Sequence, residues 1–282
     1  MADDNVGGLT GAFSARDDRR HALQWTIGSD LALTADLQAF ARYTASERLP
    51  RLQNVSQTQN APVTAIDQGK FGLRGKLGES FSLSSVAFWS RFNDLSISAI
   101  VLDDTGAVQN LALVGTTQTL GLESEFAWRP NDMFGMTSSM TLQDPQTRDL
   151  SNAGTGTAVA GLNGKQISRI PTYIVSLSPT LYFDLVGKPT ELTATAYRIG
   201  QRYVDYTNAT ALPAYTSYDI GMSSYLSQRL ELQLHLANVS NSVGLTEGNA
   251  RVDTLSGQGT SEAIYARPIF GRNYTASLTW RW

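Results

Sequence analysis

Apolar side chains recur at every second position through long stretches of this chain, and that period restricts it to β-structure. Leu23, Trp25, Ile27, Leu31 and Leu33 share one parity, with Gln24, Thr26, Gly28 and Asp30 between them. Phe71, Leu73 and Leu77 interleave with Lys70, Arg74 and Lys76. The same alternation runs through Leu120–Trp128, Leu230–Leu236 and Tyr274–Trp282. A period of two places each parity on its own face of a strand. No stretch repeats with the 3.6-residue period of a helix, so the chain reads as all-β. No apolar run approaches the ~18 residues that a membrane-spanning helix needs.

The alternating segments are joined in pairs. Short turns centre on Ala35, Gly78, Asn131, Gly187 and Gln228. Long polar connections fall at about residues 46–64, 96–116, 145–167, 204–212 and 241–270. Short turns along one edge and long loops along the other are the asymmetry of an outer-membrane barrel, because only one edge must cross the membrane during assembly. Eleven strands are expected: 21–33, 37–45, 66–77, 80–92, 118–129, 133–143, 169–183, 190–203, 214–226, 229–240 and 272–282. Pairing across Arg129–Met133 sets Trp128 opposite Phe134, Phe126 opposite Met136 and Leu122 opposite Met140. Glu123, Glu125, Thr137 and Thr141 then share the other face.

Aromatic residues sharpen the picture. Phe81, Trp128, Phe134, Phe183, Trp280 and Trp282 adjoin the short turns or the C-terminus, whereas Trp25, Tyr43, Trp89 and Tyr173 lie further along their strands. About nine residues of a strand tilted near 40° climb about 23 Å, close to the ~25 Å apolar band between two aromatic girdles. The fold class expected is an antiparallel transmembrane β-barrel of about 11–12 strands.

Composition narrows function. The formal net charge is -3, which removes the electrostatic footprint of a nucleic-acid binder. The chain has no cysteine, so disulfides, thiolate metal sites and a cysteine nucleophile are excluded. Charged residues make up only 17%, below the roughly 25% of soluble domains. The polar parity is mostly Ser, Thr, Gln and Gly with charges of both signs, which suits a wet lumen better than the charged outside of a sandwich. Met1–Asn5 has neither a basic nor an apolar signal region, so a cytoplasmic chain, or one that has lost its leader, is expected from these residues alone.

Several stretches resemble TonB-dependent outer-membrane receptors. Phe40-Ala41-Arg42-Tyr43-Thr44 followed by Arg48-Leu49-Pro50 is similar to that family's strand-to-loop stretch. Gly72-Leu73-Arg74-Gly75, then Phe81-Ser82-Leu83 and Ala87-Phe88-Trp89, resembles one of its hairpins. Leu120 to Glu125 resembles a lumen-facing strand, and Leu236 to Asn241 a turn into the last extracellular loop. Arg267-Pro268 before Gly271-Arg272-Asn273-Tyr274 resembles the family's ending. Tyr274, Leu278, Trp280 and Trp282 resemble the C-terminal signal read by the barrel-assembly machinery. The resemblance implies an outer-membrane location and uptake of a scarce bulky solute of the siderophore, cobalamin or glycan class. It also implies partners: membrane lipid, the assembly machinery, and TonB through a plug. No plug and no TonB box are found, and the family's barrel has about twice the strands read here. The chain therefore resembles the C-terminal part of the barrel, with residues 1–20 a loop or partial first strand and 21–282 the barrel portion. Residues 7–17 are the candidate for a twelfth strand.

Candidate functional residues follow from position. Asp103, Asp104, Tyr203, Asp205, Tyr206, Arg251 and Asp253 fall in the long connections and are the candidates for solute contact. Arg74, Glu123, Glu125, Arg129 and His235 are the expected polar lining of the lumen, with Arg129 and Arg74 or Lys70 as partners of the two glutamates. Ser223, His235 and Asp219 share a face and make a hydrolytic triad geometrically conceivable, but no oxyanion motif accompanies them. No cofactor or metal site is expected. The alternatives are a self-contained passive pore of about 12 strands, a barrel hydrolase, and a soluble sandwich or adhesin.

Overall fold

The computed structural model describes residues 21–50, 62–102, 108–153, 155, 156, 159, 161–252 and 259–282. Fifteen strands lie among them and no helix. They are β1 Gln24–Ala32, β2 Leu37–Arg48, β3 Thr64–Leu77, β4 Phe81–Leu102, β5 Val108–Asn131, β6 Phe134–Asn152, β7 Tyr173–Leu185 and β8 Lys188–Ile199. Then come β9 Arg202–Tyr203, β10 Ala211–Leu212, β11 Tyr215–Ser227, β12 Leu230–Ala237, β13 Leu245–Val252, β14 Gly259–Pro268 and β15 Asn273–Trp280. Eleven of them form one antiparallel up-and-down sheet in the order β1-β2-β3-β4-β5-β6-β7-β8-β11-β12-β15. Two small hairpins, β9–β10 and β13–β14, interrupt the chain on the long-loop side.

All eleven expected strands are present, and a short turn joins each of the five expected pairs, the one near Asn131 displaced toward the C-terminus. In the first, the Thr34 Oγ1 accepts hydrogen bonds from the backbone of Asp36 at 3.2 Å and Leu37 at 3.1 Å. Between β7 and β8 only Val186 and Gly187 separate the paired Leu185 and Lys188. Both turn residues have positive φ, 52° and 69°, as a two-residue hairpin that follows the twist of its strands requires.

Register is where the sequence reading needs correction. In the β5–β6 hairpin Trp128 faces Met136, Phe126 faces Ser138 and Leu122 faces Leu142, two residues away from the expected pairing. The Asn131 Oδ1 accepts from the backbone of Met133 and Phe134, each at 2.9 Å, and closes the turn later than expected. The extra residue is absorbed as a bulge between Trp128 and Asn131, where Pro130 offers no N–H to a ladder. A shift of two keeps every side chain on its expected face.

The long connections also differ. The stretch 96–116, expected as a loop, largely continues as strand, with β4 and β5 paired up to Leu102 opposite Val108, and β6 runs into the stretch 145–167 as far as Asn152. The cause is local burial. Ile97, Leu113, Leu150 and Leu162 form a buried apolar cluster with Leu95, Val159 and Tyr206 packed on it. Thr147 Oγ1 donates to the carbonyls of Leu162 and Lys165 and pins that segment across β6. Conversely, the expected strand 190–203 stops at Ile199, and Arg202–Tyr203 turns off to pair with Ala211–Leu212.

The faces come out as the alternation requires. One face carries Trp25, Ile27, Phe71, Leu120, Trp128, Leu142, Leu181, Ile220, Leu234, Leu278 and Trp280, all exposed. Among the described residues no second layer covers them, since sheet strands meet almost only their hydrogen-bonded neighbours. A soluble sandwich would bury this face against another sheet, so that alternative fails. Rim aromatics stack within the face: Phe81 with Phe126 at 5.9 Å, Trp128 edge-on to Phe134 at 5.9 Å, and Trp25 with Tyr43 at 5.5 Å.

The opposite face is polar, with rings laid over glycines. A β-carbon on Gly72 would lie 2.8 Å from the Phe40 ring, and one on Gly121 would collide with Phe88. These glycines let aromatic side chains lie flat on the wall and cover backbone that has no side chain of its own.

Among the described residues the sheet has two unpaired edges, β1 and β15. β1 enters the first short turn, and β15 returns toward the same side. Because eleven is odd, both edge strands run in one direction. Residues 7–17, the candidate twelfth strand, lie outside the described residues.

Candidate solute-binding loops and polar lumen wall

The polar face is a wall of hydroxyls with charges set apart along it. Direct hydroxyl pairs join neighbouring strands: Ser178 with Thr195 at 3.0 Å and Thr180 with Thr193 at 2.8 Å. On β1–β3, Arg74 donates to Asp30 Oδ1 at 2.9 Å and to Gln38 Oε1 at 3.4 Å, and its guanidinium lies 5.3 Å from the Phe40 ring. Arg129 lies over Tyr182 at 4.6 Å. Thus neither arginine pairs with Glu123 or Glu125, contrary to the expectation. The Asp30 carboxylate on β1, with Gln38 and the Phe40 ring on β2, holds Arg74, and Tyr182 draws Arg129 toward β7. Both glutamates are exposed. A hollow of about 600 Å³ opens beside Glu125, lined also by Lys76, Ser82, Ser84, Thr137 and Ser139 among others. It adjoins a second hollow bordered by Arg129, Gly135 and Tyr182.

His235 faces Gly221 across β11–β12, as expected. The triad is not assembled. Ser223 donates to Glu231 Oε1 at 2.9 Å, and the Asp219 carboxylate accepts the Asn238 backbone N–H at 2.8 Å. Glu231 carries no local sequence signal of a special role. It is buried, accepts from Gln233 at 2.7 Å and Arg281 at 2.8 Å, and so ties the end of β15 to β11 and β12. Tyr274, Leu278 and Trp280 all point to the apolar side of β15, with Trp282 beyond its end and exposed.

On the long-loop side, three segments interlock. Asn208 accepts from the Gln166 backbone at 2.7 Å and donates to the Gln166 carbonyl at 2.9 Å. Arg169 reaches Asn249 Oδ1 at 2.7 Å. Buried Arg202 donates to the carbonyls of Leu245 and Thr246 and lies 5.8 Å from the Tyr215 ring. Of the expected solute contacts, Tyr203, Asp205 and Tyr206 fall together in this cluster. Tyr203 receives a hydrogen bond from Gln201 at 3.1 Å. Asp205 caps a turn by accepting from the Thr207 backbone at 2.9 Å and from its hydroxyl. Tyr206 packs on the apolar cluster. Burial raises its phenol pKa, against the smaller lowering effects of Ser168 and Arg169. Arg251 stands on β13 opposite Thr260, whereas Asp103, Asp104 and Asp253 lie outside the described residues. No group of three or more histidines and carboxylates that could hold a metal occurs among the described residues.

Comparison with known proteins agrees with this architecture. Residues 2–241 match the family model for the TonB dependent receptor-like β-barrel. No curated protein sequence matches the chain. Among solved structures, the siderophore receptor PiuA from Acinetobacter baumannii superposes with a TM-score of 0.68 at 19% identity, over 91% of this chain and 35% of that one. The ferric yersiniabactin uptake receptor FyuA from Yersinia pestis gives 0.67 at 14% identity, over 90% of this chain and 36% of that one. The copper transporter OprC gives 0.67 at 9% identity, over 91% and 39%. The chain therefore spans little more than a third of the length of these structures.

Proposed function

Because the chain belongs to the TonB-dependent receptor β-barrel family, whose members are receptors and transporters of the bacterial outer membrane, we propose that it forms the C-terminal part of such a receptor's barrel and serves uptake of a scarce bulky solute. A siderophore, cobalamin or glycan is the class of solute. The observation that carries this reading is the pair of edges that run in one direction. Antiparallel closure needs a complement with an odd number of strands, and a second copy of this chain offers only edges of the wrong direction. An open edge in lipid leaves backbone groups without partners. A complement that continues the wall from residues 1–20 and brings the plug supplies what is missing. In this reading TonB acts only through that plug. The interlocked loops around Arg169, Tyr203, Asp205 and Arg251 meet the solute, and the hydroxyl-rich face with Arg74, Glu123, Glu125, Arg129 and His235 lines its path. The C-terminal strand with Tyr274, Leu278, Trp280 and Trp282 is the part read by the assembly machinery. The chain supports uptake without being an enzyme.

The test is genetic and chemical. Deleting the gene with its upstream frame removes energy-dependent uptake of one class of labelled ferric chelate, cobalamin or oligosaccharide. Unchanged uptake of all three classes overturns the proposal.

A further inference from the structure

A hollow interrupts the apolar face on its long-loop half. Its floor is made of small residues on adjacent strands: Ala41 on β2, Gly69 on β3 and Ala87 on β4. Ile27, Tyr43, Phe71, Trp89 and Leu120 stand around it. It holds about 650 Å³, within the ~300–1,000 Å³ of small-molecule sites, and its lining is almost wholly apolar. A β-carbon on Gly69 would touch only Trp89, at 3.9 Å, so the backbone itself leaves room there for a side chain.

One residue row further toward the long loops, on the same face, stands Arg91 between Asp67 and Gln118. The Asp67 carboxylate is turned to other partners, accepting from Tyr43 Oη at 2.6 Å and from Asn93 Nδ2 at 3.5 Å. Arg91 is exposed and, among the described residues, has neither a hydrogen bond nor an ion pair. A free guanidinium above a dry slot complements one kind of molecule, a phosphate carried above an acyl chain. The guanidinium fork matches phosphate oxygens, and a basic side chain at headgroup depth is attracted to anionic lipid.

We propose that this slot is a lipid site that holds one acyl chain of a phosphate-bearing lipid of the outer leaflet, with the phosphate on Arg91. The proposal rests on the outward assignment of the apolar face. Around the hollow Ile27, Phe71 and Leu120 project from the wall; between them the wall recedes and one chain is kept.

Trp89 at the border of the slot is the reporter. The chain folded together with its upstream segment in maltoside micelles is titrated with phosphatidylglycerol carrying brominated acyl chains, and with the matching brominated diacylglycerol, which has no phosphate. Tryptophan quenching by the phospholipid saturates, and the saturable part disappears in Trp89→Phe. Gly69→Leu fills the slot and abolishes saturation with both lipids, and Ala87→Leu does the same from the next strand should Gly69→Leu fail to fold. Arg91→Gln weakens the phospholipid about fivefold and leaves the diacylglycerol unchanged. Quenching that never saturates, or that persists in both filled variants, overturns the site. The heat-dependent gel mobility of each protein reports the folded wall separately, so loss of the wall and loss of the lipid site are told apart.

Discussion

At the scale of the residue, Val186 stands out. It is 93% exposed, with φ at 52° in the tight β7–β8 turn. A β-branched residue is strained there, since the left-handed conformation costs an ordinary residue roughly 1–2 kcal/mol. Asparagine tolerates it and precedes glycine in the preferred hairpin turns. In the barrel completed by its upstream segment, Val186→Asn is expected to be stabilising by about 1 kcal/mol, measured as a rise in the urea midpoint in lipid bilayers. No change would mean that the turn relaxes freely. The residues of the loop cluster show why a site is harder to read than a turn. Tyr203, Asp205 and Tyr206 could be singled out because they fall in a long connection. Arg169 and Asn208 could not, since their partners lie 80 and 42 residues away and no local pattern announces them. Tyr206 is singled out by its position in a long connection, and the fold also packs it against the apolar cluster.

At the scale of the element, alternation gave the faces and turn chemistry gave the hairpins, both local signals. Register and strand length were less legible. The bulge at Arg129–Pro130 depends on which Asn131 hydrogen bonds win, and the extensions of β4, β5 and β6 depend on a cluster assembled from three separated segments. Glycine positions on the polar face were equally silent until the rings above them were seen. Gly121→Val tests that packing: its β-carbon would meet the Phe88 ring and come within 2.7 Å of the Leu142 carbonyl oxygen. Overpacking of this kind costs about 1–3 kcal/mol, so the urea midpoint is expected to fall, with partial recovery in the Gly121→Val, Phe88→Ala double variant. An unshifted midpoint would show that the wall yields there at no cost.

At the scale of the whole molecule, the apolar belt and polar lining define a barrel wall, and its edges define what completes it. Alone in a planar bilayer the chain is expected to give no conductance step of fixed size. Co-expressed with its upstream segment, it is expected to recover a heat-resistant folded band. A steady single-channel step from the chain alone would instead support the passive pore of about 12 strands. Above the rim, the knob built on Ile97, Leu113, Leu150 and Leu162 has a core of its own, stitched by Thr147 and Asn163 to the strands beneath it. An antibody or phage that meets the bacterium from outside therefore encounters a surface epitope contributed by three distant stretches of chain. Linear peptides copied from any one of those stretches will not reproduce it.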